Sequence, residues 1–130
     1  MNSILIDASF YVSLALDTDT NHLKALKMVP KVIDFKVTTE DFIKETLTII
    51  SQRKGKRFCT SFYNSILDTE VYPVTTSVFQ SGLRIFLGSK LNKDISLIDC
   101  IGSVVYKEVG ASGILTFDSH FKDLGCKIYH

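Results

Sequence analysis

Cysteine is scarce here and poorly placed for cysteine chemistry. Cys59, Cys100 and Cys126 are odd in number, lie far apart and form no C-x-x-C pair. That excludes a disulfide framework and a zinc site of finger-like spacing. The three read instead as small apolar core residues in a reducing compartment. Long hydrophobic runs are missing too: no stretch approaches the ~20 apolar residues that span a bilayer. Met1-Asn2-Ser3-Ile4 enters an apolar run with no basic region before it, so no signal peptide is expected. Nor is there an excess of charge. Fifteen Lys and Arg against fourteen Asp and Glu leave a net +1, so any case for a nucleic-acid partner must rest on local clustering. No repeat, linker or low-complexity segment breaks the chain. What remains is 45% hydrophobic and 22% charged over 130 residues, the composition of a globular protein. The expectation is one cytoplasmic domain spanning residues 1–130, able to bury roughly two-thirds of the surface its unfolded chain exposes.

Apolar spacing then orders the chain. Ile4 to Ile6 reads as a short buried strand, and Ser9 as the cap of a helix carrying Phe10, Leu14 and Ala15. A second helix, His22 to Met28, with Leu23 and Leu26 inward, stops at Pro30. Phe35 to Val37 is the next strand. Thr38 with Asp41 has capping-box spacing, and the helix after it turns Phe42, Ile43, Thr46, Leu47 and Ile50 to one face, with Glu45 at its margin. Beyond Gly55, the residues Phe58, Cys59, Phe62, Tyr63, Ile66 and Leu67 recur at helical spacing. Val71 to Val74 is a strand whose Pro73 puts it at an edge or an end. A helix capped by Thr76 or Ser77 is expected to bury Val78, Phe79, Leu83, Phe86 and Leu87, before a polar loop over Gly88 to Asp94. Ser96 and Asp99 repeat the capping-box spacing, opening a helix that Gly110 ends. Gly113 to Thr116 and Cys126 to Tyr129 close the chain as strands. Strands alternating with helices predict a mostly parallel central sheet with helices on both faces, an α/β fold of three layers, α/β/α.

Four acids stand at positions where this architecture gives carboxylates work to do. Asp7 ends the first strand and Asp118 follows Gly113 to Thr116, so both face one ligand-binding edge if those strands are neighbours. Taken singly each has an ordinary explanation. Asp7 and Asp99 suit helix N-termini, Asp118 suits a turn, and Glu45 suits a solvated helix margin. Gly102 and Ser103, three and four residues beyond Asp99, would leave room above its carboxylate.

Two segments carry a resemblance. VTTEDFIKETLTII, which holds Glu45, and SLIDCIGSVVYKEVGASGILTFDSHF, which holds Asp99 and Asp118, together with ILIDAS around Asp7, resemble the PIN-domain nucleases. The resemblance is to the VapC-type toxins and their single-domain relatives. It departs at Ile98, where many relatives carry Thr. It implies a Mg²⁺- or Mn²⁺-dependent endoribonuclease cleaving RNA phosphodiester bonds, the toxin of a toxin–antitoxin pair. Asp7, Asp99 and Asp118 would be the metal ligands, and Glu45 either a further ligand or the residue that orients the attacking water. Ser9 and Thr116 would be hydrogen-bonding supports of those ligands. The same resemblance implies an antitoxin partner and a homodimer. The alternatives are a PIN fold kept as a partner-binding module, or a housekeeping RNA-processing nuclease. Acids in number suit the chemistry, since Mg²⁺ takes oxygen ligands in an octahedron and lowers the pKa of bound water.

Phosphate contact needs positive charge. Arg53, Lys54, Lys56 and Arg57 cluster after the Glu45 helix and are RNA-binding candidates, though a helix C-terminus favours such residues in any case. His120 is within reach of a phosphate but reads first as a structural histidine near a turn. A receiver-like domain is disfavoured because Ile6-Asp7-Ala8 offers a single acid. A haloacid-dehalogenase-type phosphatase is disfavoured because Asp7-Ala8-Ser9 lacks the second acid of D-x-D.

Overall fold

The structure is a computed structural model describing residues 2–88 and 90–129. Met1, Ser89 of the expected polar loop, and His130 lie outside the described residues. Strand β1 (Ser3–Ile6) sits inside the sheet because its Ile-Leu-Ile run is apolar on both faces. It pairs in parallel with β2 (Phe35–Thr39) on one side and β4 (Gly113–Leu115) on the other. β3 (Glu70–Tyr72) adds in parallel to the free side of β2, giving the order β3-β2-β1-β4. The edge position expected of the Pro73 segment is therefore correct, and Pro73 itself falls just past the strand.

The helices connect these strands. α1 (Ala8–Ala15) and α2 (His22–Met28) lead from β1 to β2, and α3 (Glu40–Lys54) and α4 (Lys56–Ser65) from β2 to β3. α5 (Thr76–Gly88) and α6 (Leu97–Glu108) lead from β3 to β4, and α7 (His120–Asp123) follows. From β1 the chain winds outward through β2 and β3, then returns to lay β4 on the opposite side of β1. The reversal puts a crevice at the carboxyl ends of β1 and β4, the place where such sheets bind ligands.

Strand alternation divides the core in two. Leu5, Val37 and Ile114 face a cluster with Val78 of α5, Ile101 and Val105 of α6, and Phe121 of α7. Ile4, Ile6 and Leu115 face the other way, onto Phe10 and Tyr11 of α1, Ala25 of α2 and Phe62 of α4. α3 reaches both, with Phe42 in the first cluster and Ile50 in the second. The result is the three-layer α/β/α arrangement expected from the alternation of elements. Among the described residues no helix is long and apolar enough to cross a membrane.

Several local expectations change. The cap of α1 is Asp7, whose Oδ1 accepts the Phe10 N–H at 3.1 Å, and Ser9 lies inside the first turn. The cap of α3 is Thr39, while Thr38 stays in β2 and donates its hydroxyl to the Ile6 carbonyl at 2.8 Å. In α2 the inward residue is Ala25, and Leu23 and Leu26 are exposed. α5 buries Val78 and Gly82 but leaves Phe79, Phe86 and Leu87 exposed. The expected final strand is a single bridge from Ile128 to Ile114.

Gly102 also serves another purpose than expected. A Cβ there would stand 2.6 Å from Cζ of Phe42, so the missing side chain admits the Phe42 ring, which packs edge-on against Phe121 at 6.4 Å. Ser103 is buried and donates to the Cys100 carbonyl at 2.7 Å. Gly102 thus lets α6, which carries Asp99, receive the Phe42 ring from α3, which carries Glu45.

Candidate metal centre

Asp7 is the best-anchored of the acids. It leaves β1 in extended conformation (φ −97°, ψ 175°) and caps α1. Its side chain is buried at 3% exposure and is met by three donors. Thr116 Oγ1 donates to Oδ2 at 2.8 Å, Ser9 Oγ to Oδ1 at 2.9 Å, and the Phe10 N–H to Oδ1. The supporting hydroxyls are themselves held. Ser9 Oγ accepts the Phe117 N–H at 3.0 Å, and Thr116 Oγ1 accepts the Asp118 N–H at 2.9 Å. Each hydroxyl thus accepts one backbone N–H and can turn its hydrogen to Asp7, and the two hydroxyl oxygens lie 3.1 Å apart. Burial nonetheless pushes the Asp7 carboxyl up to about 7, since desolvation outweighs the three hydrogen bonds and the nearby Asp99 adds repulsion.

Asp99 lies in the first turn of α6, where Ser96 Oγ accepts its backbone N–H at 3.1 Å. Its carboxyl is raised to about 6, first by burial and then by the charge on Asp118, with Glu45 adding to it and His120 opposing it. Glu45, on α3, is raised as well, by partial burial and by Asp118. Asp7 thus feels Asp99, and Asp99 feels both Asp118 and Glu45, so each of the four carboxyls lies within electrostatic reach of at least one other.

Asp118 follows β4, and its Oδ1 accepts the His120 N–H at 2.9 Å. That turn brings the imidazole back over the acids. Carboxylate oxygens of Asp99 and Asp118 and a ring nitrogen of His120 all lie within 4.8 Å of one another. His120 Nδ1 is 3.1 Å from Asp118 Oδ1 but is not aligned to share a hydrogen with it, and this nitrogen is buried with no hydrogen-bond partner among the described residues. From its sequence context His120 is expected to be a structural histidine near a turn, within reach of a phosphate. No spacing rule marks it as belonging with the acids, because its place depends on the turn that joins it to Asp118.

Of the basic candidates, Arg53, Lys54 and Lys56 lie at or beyond the C-terminal end of α3. Arg53 stands eight residues beyond Glu45, about 12 Å along the axis of α3. Lys54 pairs with Asp17 at 3.6 Å, and Lys56 bonds Ser51. Lys44, next to Glu45 in α3, instead lines a cleft of about 560 Å³ between α3, α5 and α6, together with Asp41, Phe79 and Ile98. A separate apolar pocket of about 380 Å³ lies between α1, α2 and α4 and holds none of the four acids.

No family model matches the sequence, and no curated protein matches it. Solved structures do. The VapC20 toxin of Mycobacterium tuberculosis, described as cleaving the sarcin–ricin loop, superposes with a TM-score of 0.88 over 98% of this chain and 98% of its own, at 21% identity. The chain has the PIN fold. In this PIN fold the strands that precede Asp7 and Asp118 are parallel neighbours, although the two acids lie more than a hundred residues apart in the sequence.

Proposed function

We propose that the chain is a divalent-cation-dependent endoribonuclease acting as the toxin of a toxin–antitoxin pair. The observation that carries this reading is the convergence of Asp7, Glu45, Asp99 and Asp118 at the crevice where the sheet order reverses. The likeness in fold to VapC20, described as an RNA-cleaving toxin, supports it.

The donor set fits a hard cation. Carboxylate oxygens predominate, and they crowd closely enough to raise one another's proton affinity, so charge neutralisation is needed for them to ionise together. Asp99 and Asp118 would hold the ion directly, with Asp7 binding directly or through water. Mg²⁺ or Mn²⁺ there supplies charge neutralisation at the phosphate and a water of lowered pKa. The chain's own residues supply the rest. Ser9 and Thr116 fix both Asp7 oxygens and so aim the carboxylate into the crevice. Glu45, exposed on α3, either completes the ligand set or accepts the hydrogen bond that orients the attacking water. Lys44 and the more distant Arg53, Lys54, Lys56 and Arg57 offer charge to the phosphate backbone. An antitoxin that covers the crevice and a second copy of the chain are the partners this reading brings.

The test is incubation of the protein with an RNA hairpin carrying the sarcin–ricin loop and with total ribosomal RNA, in Mg²⁺, Mn²⁺ or EDTA. Cleavage that needs a divalent ion and is lost in Asp99→Asn supports the reading. Cleavage unaffected by EDTA, or none of any RNA in either metal, overturns it.

A further inference from the structure

We infer that His120 is itself an ion ligand, through Nδ1, and that it tilts the centre toward Mn²⁺ and other first-row transition ions over Mg²⁺. The inference builds on the acids as a cation site and adds a donor that the four carboxylates do not include.

The geometry is specific. Nδ1 of His120 and Oδ1 of Asp118 stand 3.1 Å apart with no shared hydrogen. With the ring proton on the other nitrogen, two lone-pair atoms are held in contact, which repel unless a cation lies against both. Two adjacent donors of an octahedral ion at ligand distances near 2.1 Å stand about 3 Å apart, so the observed separation is that of a ready-made ligand pair. Opposite donors stand about 4.2 Å apart. A ring nitrogen of His120, an Asp118 oxygen and an Asp99 oxygen all lie within 4.8 Å of one another, so Asp99 is near enough to join the same ion after a side-chain adjustment. The Asp118–Ser119–His120 turn holds the pair together, because the His120 N–H is bonded to the same Oδ1 at 2.9 Å, and Nδ1 has no competing partner among the described residues. An imidazole nitrogen among carboxylates favours Mn²⁺ and later ions, whereas Mg²⁺ prefers an all-oxygen shell.

The experiment is pulsed electron paramagnetic resonance of the full-length protein with one equivalent of Mn²⁺, beside calorimetric titrations with Mn²⁺ and Mg²⁺, for the wild type and His120→Gln. Nitrogen modulation on the Mn²⁺ signal is expected in the wild type and lost in the variant. The Mn²⁺ dissociation constant should rise about tenfold or more while that for Mg²⁺ changes little. If His120→Gln does not fold, wild-type protein labelled with ¹⁵N-histidine decides alone, through the isotope change in the coupling. Absence of nitrogen coupling, its persistence in the variant, or no Mn²⁺ binding at all overturns the inference. Because none of these readouts uses RNA, failure of the nuclease reading leaves its own trace: nitrogen-coupled Mn²⁺ with no cleavage.

Discussion

Thr116 holds Asp7 from across the sheet: its hydroxyl donates to Asp7 Oδ2 at 2.8 Å while accepting the Asp118 N–H at 2.9 Å. One side chain after β4 thereby couples the acid that ends β1 to the acid two residues on. Thr116→Val keeps the shape and removes both roles. It leaves a buried carboxylate short of a donor, so it should cost about 1–3 kcal/mol of stability and weaken divalent-ion binding about tenfold or more. Thermal unfolding and Mn²⁺ titration of the same sample check both.

Asp99→Asn separates chemistry from folding. Asp99 is raised to about 6 by burial and by its acidic neighbours, so at pH 8 its charge opposes the metal-free fold. Removing that charge should hold or raise stability in EDTA while lowering RNA cleavage at least about a hundredfold, in line with the loss of a group that acts only at the reacting centre. Chemical denaturation at pH 8 and cleavage in Mg²⁺ are the two readings; full activity would remove Asp99 from the mechanism.

The pH dependence of the metal-free protein has an unusual sign for carboxylates. Asp7 rises from 3.8 to about 7 and Asp99 from 3.8 to about 6 on folding. The folded state thus binds protons that the unfolded state has released. The stability this gives is fully present below about pH 4 and is lost as pH climbs through 6 and 7, by up to about 4 kcal/mol for Asp7 alone. In EDTA the chain should therefore melt lower at pH 8 than at pH 5.5. Saturating Mn²⁺ should reverse the order, because ion binding replaces the protons. Melting curves at the two pH values, with and without metal, give the answer.

Gly102→Ala tests how closely α6 must approach α3. A Cβ there meets the Phe42 ring at 2.6 Å, an overpacking that costs about 1–3 kcal/mol and moves the helix bearing Glu45 away from the one bearing Asp99. Cleavage should fall further than the lost stability accounts for. Gly88→Ala, where an added Cβ meets nothing within 4 Å, should leave cleavage unchanged.

The parts of the fold legible in the sequence were those set by local pattern. The doubly apolar Ile4-Leu5-Ile6 run, the Ser96 cap and the alternation of elements were enough for a parallel sheet in a three-layer α/β/α fold. Faces of short helices were not legible. α2 has only seven residues, too few turns to tell Ala25 from Leu23 and Leu26 as the buried position. α5 carries apolar residues on more than one side, so periodicity named Phe79, Phe86 and Leu87 as core where the fold exposes them. Caps slid by one or two residues because Asp7 and Thr39 compete with neighbours of equal capping ability. In the site, Asp7 and Asp118 were legible as strand-end acids. The meeting of His120 with Asp118 was not, because it depends on a three-residue turn whose geometry no spacing rule specifies. The role of Gly102 was hidden for a related reason: the ring it admits, Phe42, lies sixty residues earlier in the chain.

The measurement closest to the central claim is calorimetric titration with Mn²⁺ at pH 7.5 of the wild type and of Asp7→Asn, Asp99→Asn and Asp118→Asn. If the acids share one ion, the wild type binds with a single set of sites and each substitution weakens that same binding about tenfold or more. Wild-type protein that binds no ion, or substitutions that leave its affinity where it was, would contradict the account.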